Sequence, residues 1–491
     1  MPCVLVHGYV GFSDLEVRFW SEVRKGLLAS GYEMLLVHAG ESPDGEYGGV
    51  PHASVIASLD GYGPAMGLLH GRDVPNVDAL VARESLWYGE EGPSAAGPGD
   101  VRREAVQYVH EMYRSLLGDA RPALVLIQNG QHPVEMILEQ QARSRQIPVL
   151  FFDRGPLPLT YHLDDSGITA RTEAGRRADV MWAADPACWR KSLTAYEDDY
   201  HRSGMTWWQQ PEGHDGSLRA RFSVPSAKCM VLFANQIDAD TSNFLNAPLQ
   251  RTNLEAFAWF CEQLRPVKDK VFVVGKHHPR NSVPPQVFRQ VVGDMGVWVD
   301  DVPLGECLSQ VDRVAAVNST VLFEALMHRK PVLTLGQSIL WGKGIAHEIT
   351  CLEDGVCRRV LRDWLAGDDA EERFSRWVDL GASLLSDCLF LMAPPDGERY
   401  LGAACLAERL IGKARGGAEV GSLRVPGFRL FTSMAEDGEL KLAMERMLGN
   451  EIRTRLRDSE WLAENVGLAS GARAFARRLR MKMAAWFRFR R

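Results

Sequence analysis

Apolar residues along this chain fall into two recurring patterns. Short runs rich in Val, Leu, Ile and Phe, at 4–6, 34–37, 123–128 and 148–152, read as strands. Between them, at 14–30, 101–117 and 133–145, apolar positions return with helical spacing. The strand-like runs are apolar throughout instead of alternating, as in strands covered on both faces. The pattern therefore predicts a mostly parallel sheet flanked by helices. Residues 52–98 are richer in Gly and Pro and read as insertions at the carboxyl edge of that sheet.

A polar helical stretch over 169–202 leads into Ser203-Gly204-Met205-Thr206-Trp207-Trp208-Gln209-Gln210-Pro211-Glu212-Gly213, a cluster of turn-forming residues that reads as a linker. A second alternation follows. Strand-like runs lie at 228–234, 271–275, 297–299, 314–317 and 332–335, with helical patterns at 253–264 and 320–328. The reading is an α/β chain of two halves, one over 1–205 and one over 225–416. A helical, basic tail occupies 438–491.

Composition narrows the function. With 491 residues the chain exceeds a single core, and 24% charged residues is an ordinary globular value. The net charge of −7 argues against a general nucleic-acid binder, so no nucleic-acid partner is expected. No apolar run reaches the roughly 18–20 uncharged residues of a spanning helix. Met1-Pro2-Cys3-Val4-Leu5-Val6-His7-Gly8 has no basic leader and reads directly as a strand, so a cytoplasmic protein is expected. The nine cysteines are odd in number and lack a Cys-x-x-Cys pair, which points to buried, reduced thiols.

Ligands of open parallel sheets bind beyond the carboxyl ends of the strands. Four segments there carry candidate chemistry. Asn235-Gln236-Ile237-Asp238-Ala239-Asp240-Thr241-Ser242 offers a catalytic carboxylate near a Gln that would bond substrate. Like charges disfavour joint ionisation, so one of Asp238 and Asp240 is expected to be catalytic and the other solvated or capping. Gly275-Lys276-His277-His278-Pro279-Arg280 clusters basic groups where Pro279 holds His278 extended, and reads as an anion site with His278 cationic or hydrogen-bonding. Val317-Asn318-Ser319-Thr320-Val321-Leu322-Phe323-Glu324 runs from a strand into a helix, with Ser319 or Thr320 as N-cap, and such a helix start attracts anions. Phe151-Phe152-Asp153-Arg154-Gly155 ends a strand on an acid suited to general base work. Each segment also reads as ordinary turn or cap chemistry.

Several familiar sites are missing. The chain has no Gly-x-Ser-x-Gly elbow and no Gly-x-x-x-x-Gly-Lys-Ser/Thr loop. Gly61-Tyr62-Gly63-Pro64-Ala65-Met66-Gly67 misses the dinucleotide fingerprint by one residue, and His347-Glu348 lacks the second His of a metalloprotease helix.

Taken in order, Asn129-Gly130, Phe151-Phe152-Asp153-Arg154-Gly155-Pro156-Leu157-Pro158, Asp165-Ser166-Gly167-Ile168, Gln236-x-x-x-Asp240, His278-Pro279, Asn318-Ser319-Thr320 with Glu324-Ala325-Leu326, and Lys330-Pro331-Val332-Leu333-Thr334-Leu335-Gly336 resemble the capsule polysaccharide biosynthesis proteins related to bacterial β-Kdo transferases. The resemblance implies two Rossmann-like domains facing a cleft, the GT-B arrangement, and transfer of Kdo from a CMP donor to a surface glycan or its lipid primer. At matching positions it implies a nucleophile at Asp240, with Asp238 as its competitor. His278, Ser319 and Thr320 would hold the phosphate, with Lys276 and Asn318 beside them, and Glu324 the ribose. Asp153 stands where the family usually has Glu. No metal is expected, because imidazole, hydroxyls and a helix dipole can stabilise a departing monophosphate. Another donor, CMP-sialic acid or a UDP-sugar, and a non-catalytic capsule-assembly subunit are the alternatives. From Gly471 to Arg491 eight basic residues mix with Phe475, Trp486, Phe487 and Phe489 and no acid, which suits an anionic membrane surface.

Overall fold

The computed structural model describes residues 1–9, 13–39, 52–55, 109–395 and 398–415, apart from 111–112, 115, 119, 132, 178–184, 214–215, 238–239, 248–251 and 282. The basic tail and most of 52–98 lie outside the described residues.

In chain order the elements used below are β1 (Cys3–Tyr9), α1 (Asp14–Ala29), β2 (Glu33–Ala39), β3 (His52–Val55), β4 (Leu124–Gln128), α2 (Pro133–Ser144), β5 (Val149–Arg154), β6 (Thr160–Asp164), α3 (Pro186–Ser203), β7 (Cys229–Ala234), α4 (Thr241–Asn246), α5 (Asn253–Leu264), β8 (Val271–Lys276), α6 (Pro285–Val292), β9 (Gly296–Val299), α7 (Leu304–Gln310), β10 (Arg313–Ala316), α8 (Val321–Met327), β11 (Val332–Thr334), β12 (His347–Glu348), α9 (Asp354–Ala366), α10 (Ala370–Asp387), β13 (Leu389–Leu391) and α11 (Ala403–Arg415). The described residues form two compact units. The first holds 1–176, 185–199 and 381–415, and the second holds 177 and 200–380.

The first unit is a seven-stranded sheet in the order β3-β2-β1-β4-β5-β6-β13. β3, β2, β1, β4 and β5 run parallel, as the apolar runs predict, while β6 is antiparallel to β5 and β13 antiparallel to β6. α1 begins with a capping box: Glu16 N donates to Ser13 Oγ at 3.3 Å, and Ser13 N to Glu16 Oε2 at 2.8 Å. α11 packs on α1 so closely that a Cβ at Gly26 would stand 2.7 Å from Ala407 Cβ. The second unit therefore ends earlier than the expected domain 225–416, because β13 joins the first sheet and α11 falls in the first unit. The pattern hid this because β13 is three residues long and its partner β6 lies far upstream.

The second unit is an all-parallel sheet in the order β9-β8-β7-β10-β11-β12. This is the doubly wound order, and the chain reverses between β7 and β10. The core on one face gathers Phe233, Phe257, Phe260, Phe288, Trp298 and Trp364. Phe288 and Trp298 stack with centroids 4.1 Å apart, 10° from parallel. Trp298 in turn lies over Gly275 of β8, where an added Cβ would meet the indole at 2.0 Å. All nine cysteines are free thiols, as the odd, unpaired count suggests. Among the described residues no helix is long and apolar enough to cross a membrane.

Because Trp298 is held by Phe288 and cannot retreat, Gly275→Ala should cost about 1–3 kcal/mol by overpacking. Urea denaturation would measure it, and pairing it with Trp298→Leu should shrink the increment. An equal cost of the alanine in both backgrounds would rule out the steric account.

Candidate functional site

The chain leaving β7 turns into the reversal between β7 and β10, where loops on the two sides diverge. Asn235 and Gln236 are buried there. The Gln236 amide spans to the loop after β10: Nε2 donates to Asn318 Oδ1 and Oε1 accepts from Asn318 N, both at 3.0 Å. Asn318 Nδ2 continues to Ser242 O at 2.8 Å. Gln236 also has its main chain clamped. Its N–H donates to Asn253 Oδ1 at 3.1 Å, and its carbonyl accepts from Asn253 Nδ2 at 3.1 Å and from Asn281 Nδ2 at 2.6 Å. The Gln expected to bond substrate is therefore engaged with protein on both side-chain atoms.

Asp240 is the N-cap of α4, with Oδ1 accepting from Ser242 N at 2.8 Å. Burial raises its pKa, while the backbone and side chain of Ser242 lower it. Capping, the role foreseen for the lesser of the two carboxylates, thus falls to Asp240 itself. Asp238 lies outside the described residues.

At the end of β8, Lys276 is buried and its Nζ donates to His277 O at 3.2 Å. Burial also lowers its pKa. The charge expected of it is therefore turned into the protein. His278 is half-buried, and burial first, then the neighbouring His277, Lys276 and Arg280, lower its pKa to about 4. Its Nδ1 accepts from Arg280 N at 3.1 Å. That shift favours the uncharged imidazole at neutral pH, and with Nδ1 accepting, its proton lies on Nε2. The stretch read as a linker runs past this loop. Trp208 meets His278 edge-on at 5.8 Å, Arg280 lies 5.2 Å over the Trp208 ring, and Gln210 Oε1 accepts from Leu304 N at 3.1 Å, at the start of α7.

Beyond β10, Thr320 holds the N-cap position of α8 but makes no side-chain cap bond. Ser319 Oγ instead accepts from Val321 N at 3.2 Å. Glu324 is buried, its Oε2 accepting from Tyr200 Oη at 2.9 Å, and burial raises its pKa to about 7 although the Tyr200 bond lowers it. No local signal marks Tyr200, which comes from α3, distant in the chain. Asn253 and Asn281 escaped the sequence reading too, since an Asn after a turn looks like turn chemistry.

In the first unit, Asp153 is the penultimate residue of β5 and accepts from Asn129 Nδ2 at 3.2 Å and Arg154 N at 2.8 Å. Beside it, buried Glu16 accepts from Tyr161 Oη at 3.0 Å and pairs with Arg154 at 3.4 Å. The Ser13-x-x-Glu16 spacing could have marked the cap but not this second use. Among the described residues no group of three or more His, Cys, Asp or Glu could hold a metal ion.

Glu324 gives a pH signature. Its folded pKa is raised, so its stabilising contribution is complete below the ordinary carboxylate range and is lost as pH rises toward about 7. Glu324→Gln keeps an acceptor for Tyr200 and cannot ionise. Its Tm relative to the unmodified protein should therefore climb between pH 5 and about 8. A difference that stays flat with pH would show that Glu324 is not held neutral.

Residues 191–355 match the model of a family described as capsule polysaccharide biosynthesis protein. No curated protein matches the chain. Similar solved structures include the KpsC β-Kdo 2,7-transferase of Thermosulfurimonas dismutans, at 17% identity over 55% of this chain and 89% of that one, with a TM-score of 0.33. The β-Kdo 2,4-transferase of the same KpsC has 16% identity over 53% and 79%, with a TM-score of 0.37. The S. aureus MnaA–UDP co-structure has 10% identity over 85% and 96%, with a TM-score of 0.39. At such scores these are distant likenesses. The matched stretch contains Gln236, Asp240, His278, Asn318, Ser319, Thr320 and Glu324, and over it the chain is similar to the capsule polysaccharide biosynthesis proteins that its motifs resemble.

Proposed function

We propose that the second unit binds an activated sugar at the carboxyl ends of β7, β8 and β10, and that the protein is a glycosyltransferase moving Kdo from CMP to a glycan or glycolipid primer. One observation carries this reading. The Gln236–Asn318 pair joins the loop of Asp240 to the loop of Ser319 and Thr320 across the strand reversal, where doubly wound sheets take their ligands. Hydrogen-bond donors then converge on a phosphate: the Nε2–H of neutral His278 and the Ser319 and Thr320 hydroxyls. Glu324 with Tyr200 would receive the ribose.

In the chemistry we propose, the Asp240 carboxylate attacks the anomeric carbon. The bond from that carbon to the phosphate oxygen breaks, and CMP departs with the electron pair. The acceptor hydroxyl then displaces Asp240, its proton passing to a general base; Asp153, near the end of β5 in the first sheet, is the carboxylate the sequence offers for that role. Two inversions give net retention. Burial disfavours the ionised Asp240 that the first step requires, and the Ser242 N–H works against that effect. Hydrogen bonds suffice for a monophosphate leaving group, so no divalent ion takes part.

Thermal shifts test the donor class: CMP should raise Tm at lower concentration than UDP or GDP, since only ligands of the native state stabilise it. An equal response to all three, or none, would remove the CMP reading. Asp240→Asn should lower transfer from CMP-Kdo by roughly a thousandfold or more, as loss of a nucleophile does, while binding of CMP persists. Retained activity would refute the assignment. Transfer should also continue undiminished in excess chelator.

A further inference from the structure

Three loops carry the proposed site, and all three are bonded to one residue. Gln236 belongs to the loop of Asp240. Its side chain donates to Asn318 Oδ1 and accepts from Asn318 N across the strand reversal, next to Ser319 and Thr320. Its carbonyl takes the bond of Asn281, whose own N–H donates to His278 O at 3.0 Å. Asn253, at the start of α5, grips the Gln236 main chain from N–H to carbonyl. The amide orientation of Asn281 follows from its partners. Oδ1 accepts from Val283 N at 2.8 Å while Nδ2 donates to Gln236 O, and a flip would set two donors and two acceptors face to face.

We infer that Gln236 and Asn281 are positioning residues, which hold the His278 loop and the Ser319–Thr320 loop in one register so that a single anion can meet both. This rests on the proposed nucleotide site for its purpose but not for its geometry. The bonds are buried or half-buried, where an amide that loses its partner is costly. Cutting one loop free should therefore be felt in the other.

Asn281→Asp isolates the link. It keeps the acceptor for Val283 N and replaces the donor to Gln236 O with an oxygen, turning attraction into repulsion. Asn281→Ala is the second variant, at a half-buried position where truncation is tolerable. Amide hydrogen exchange followed by mass spectrometry would be read over 277–283 and over 317–323. The expected result in both variants is faster exchange in the second segment as well as the first, by at least about threefold, as for coupled neighbours. Faster exchange confined to 277–283 would overturn the inference. The nucleotide arm uses CMP itself. Asn281→Asp should weaken its Kd, and Thr320→Ala should then cost less than it does in the unmodified protein. Independent, multiplying effects would also overturn the inference. Exchange needs no nucleotide, so failure of the unmodified protein to bind CMP would overturn only the proposed function.

Discussion

Two parallel strands side by side, with chains leaving them in opposite directions, set the central constraint of the second unit. Between β7 and β10 the main chain must turn while buried, and its polar groups need partners there. The protein meets this need with carboxamides. Gln236 matches Asn318 donor to acceptor and acceptor to donor, while Asn253 does the same for the Gln236 main chain. A buried amide left without a partner costs about 1–3 kcal/mol, so each member of such a set is held by the others. The loops of the candidate site inherit their positions from this arrangement.

Burial also sets the electrical character of the site. It pushes Asp240 and Glu324 up in pKa and Lys276 and His278 down, in every case toward the uncharged form. A sequence rich in Lys, His and Arg after β8 suggests a cationic hollow. What the fold builds is closer to a set of hydrogen-bond donors on rigid supports. Such a surface favours a ligand whose charge is spread over several acceptor oxygens. Anion binding at the proposed site would accordingly be less sensitive to salt than at a cluster of exposed charges.

The parallel strands were legible because strands buried on both faces leave long apolar runs, as in Met230, Val231, Leu232 and Phe233 of β7. β6 left no such trace. Thr160 and His162 are buried beside Tyr161 and Leu163, so its composition mixes polar and apolar residues at buried positions. The positions of Gln236, His278 and Asn318 at strand ends were legible through the rule that loops there meet ligands. Their partners were not. Whether a Gln faces a substrate or an Asn is decided by the chain that packs against it, and Asn318 lies far along the sequence. The same limit applies to Glu324, whose buried bond to Tyr200 depends on where α3 comes to rest. Lys276 is illegible for a different reason: a basic side chain at a strand end looks solvent-facing until its burial is known.

The return of β13 to the first sheet has a consequence for biosynthesis. Apart from residue 177, the described part of the second unit starts within α3 and ends within α10, between segments of the first. A ribosome releases β6 early, yet the strand that covers its outer edge is made only after the whole second unit. Until then β6 is an open edge with unpaired backbone groups, the kind of surface that recruits stray strands. All of the strands of the second unit lie within the one stretch 200–380, which can fold as soon as it emerges. The first to begin synthesis is therefore the last to be completed, and a chain truncated before β13 would carry a finished second sheet attached to an unfinished first one.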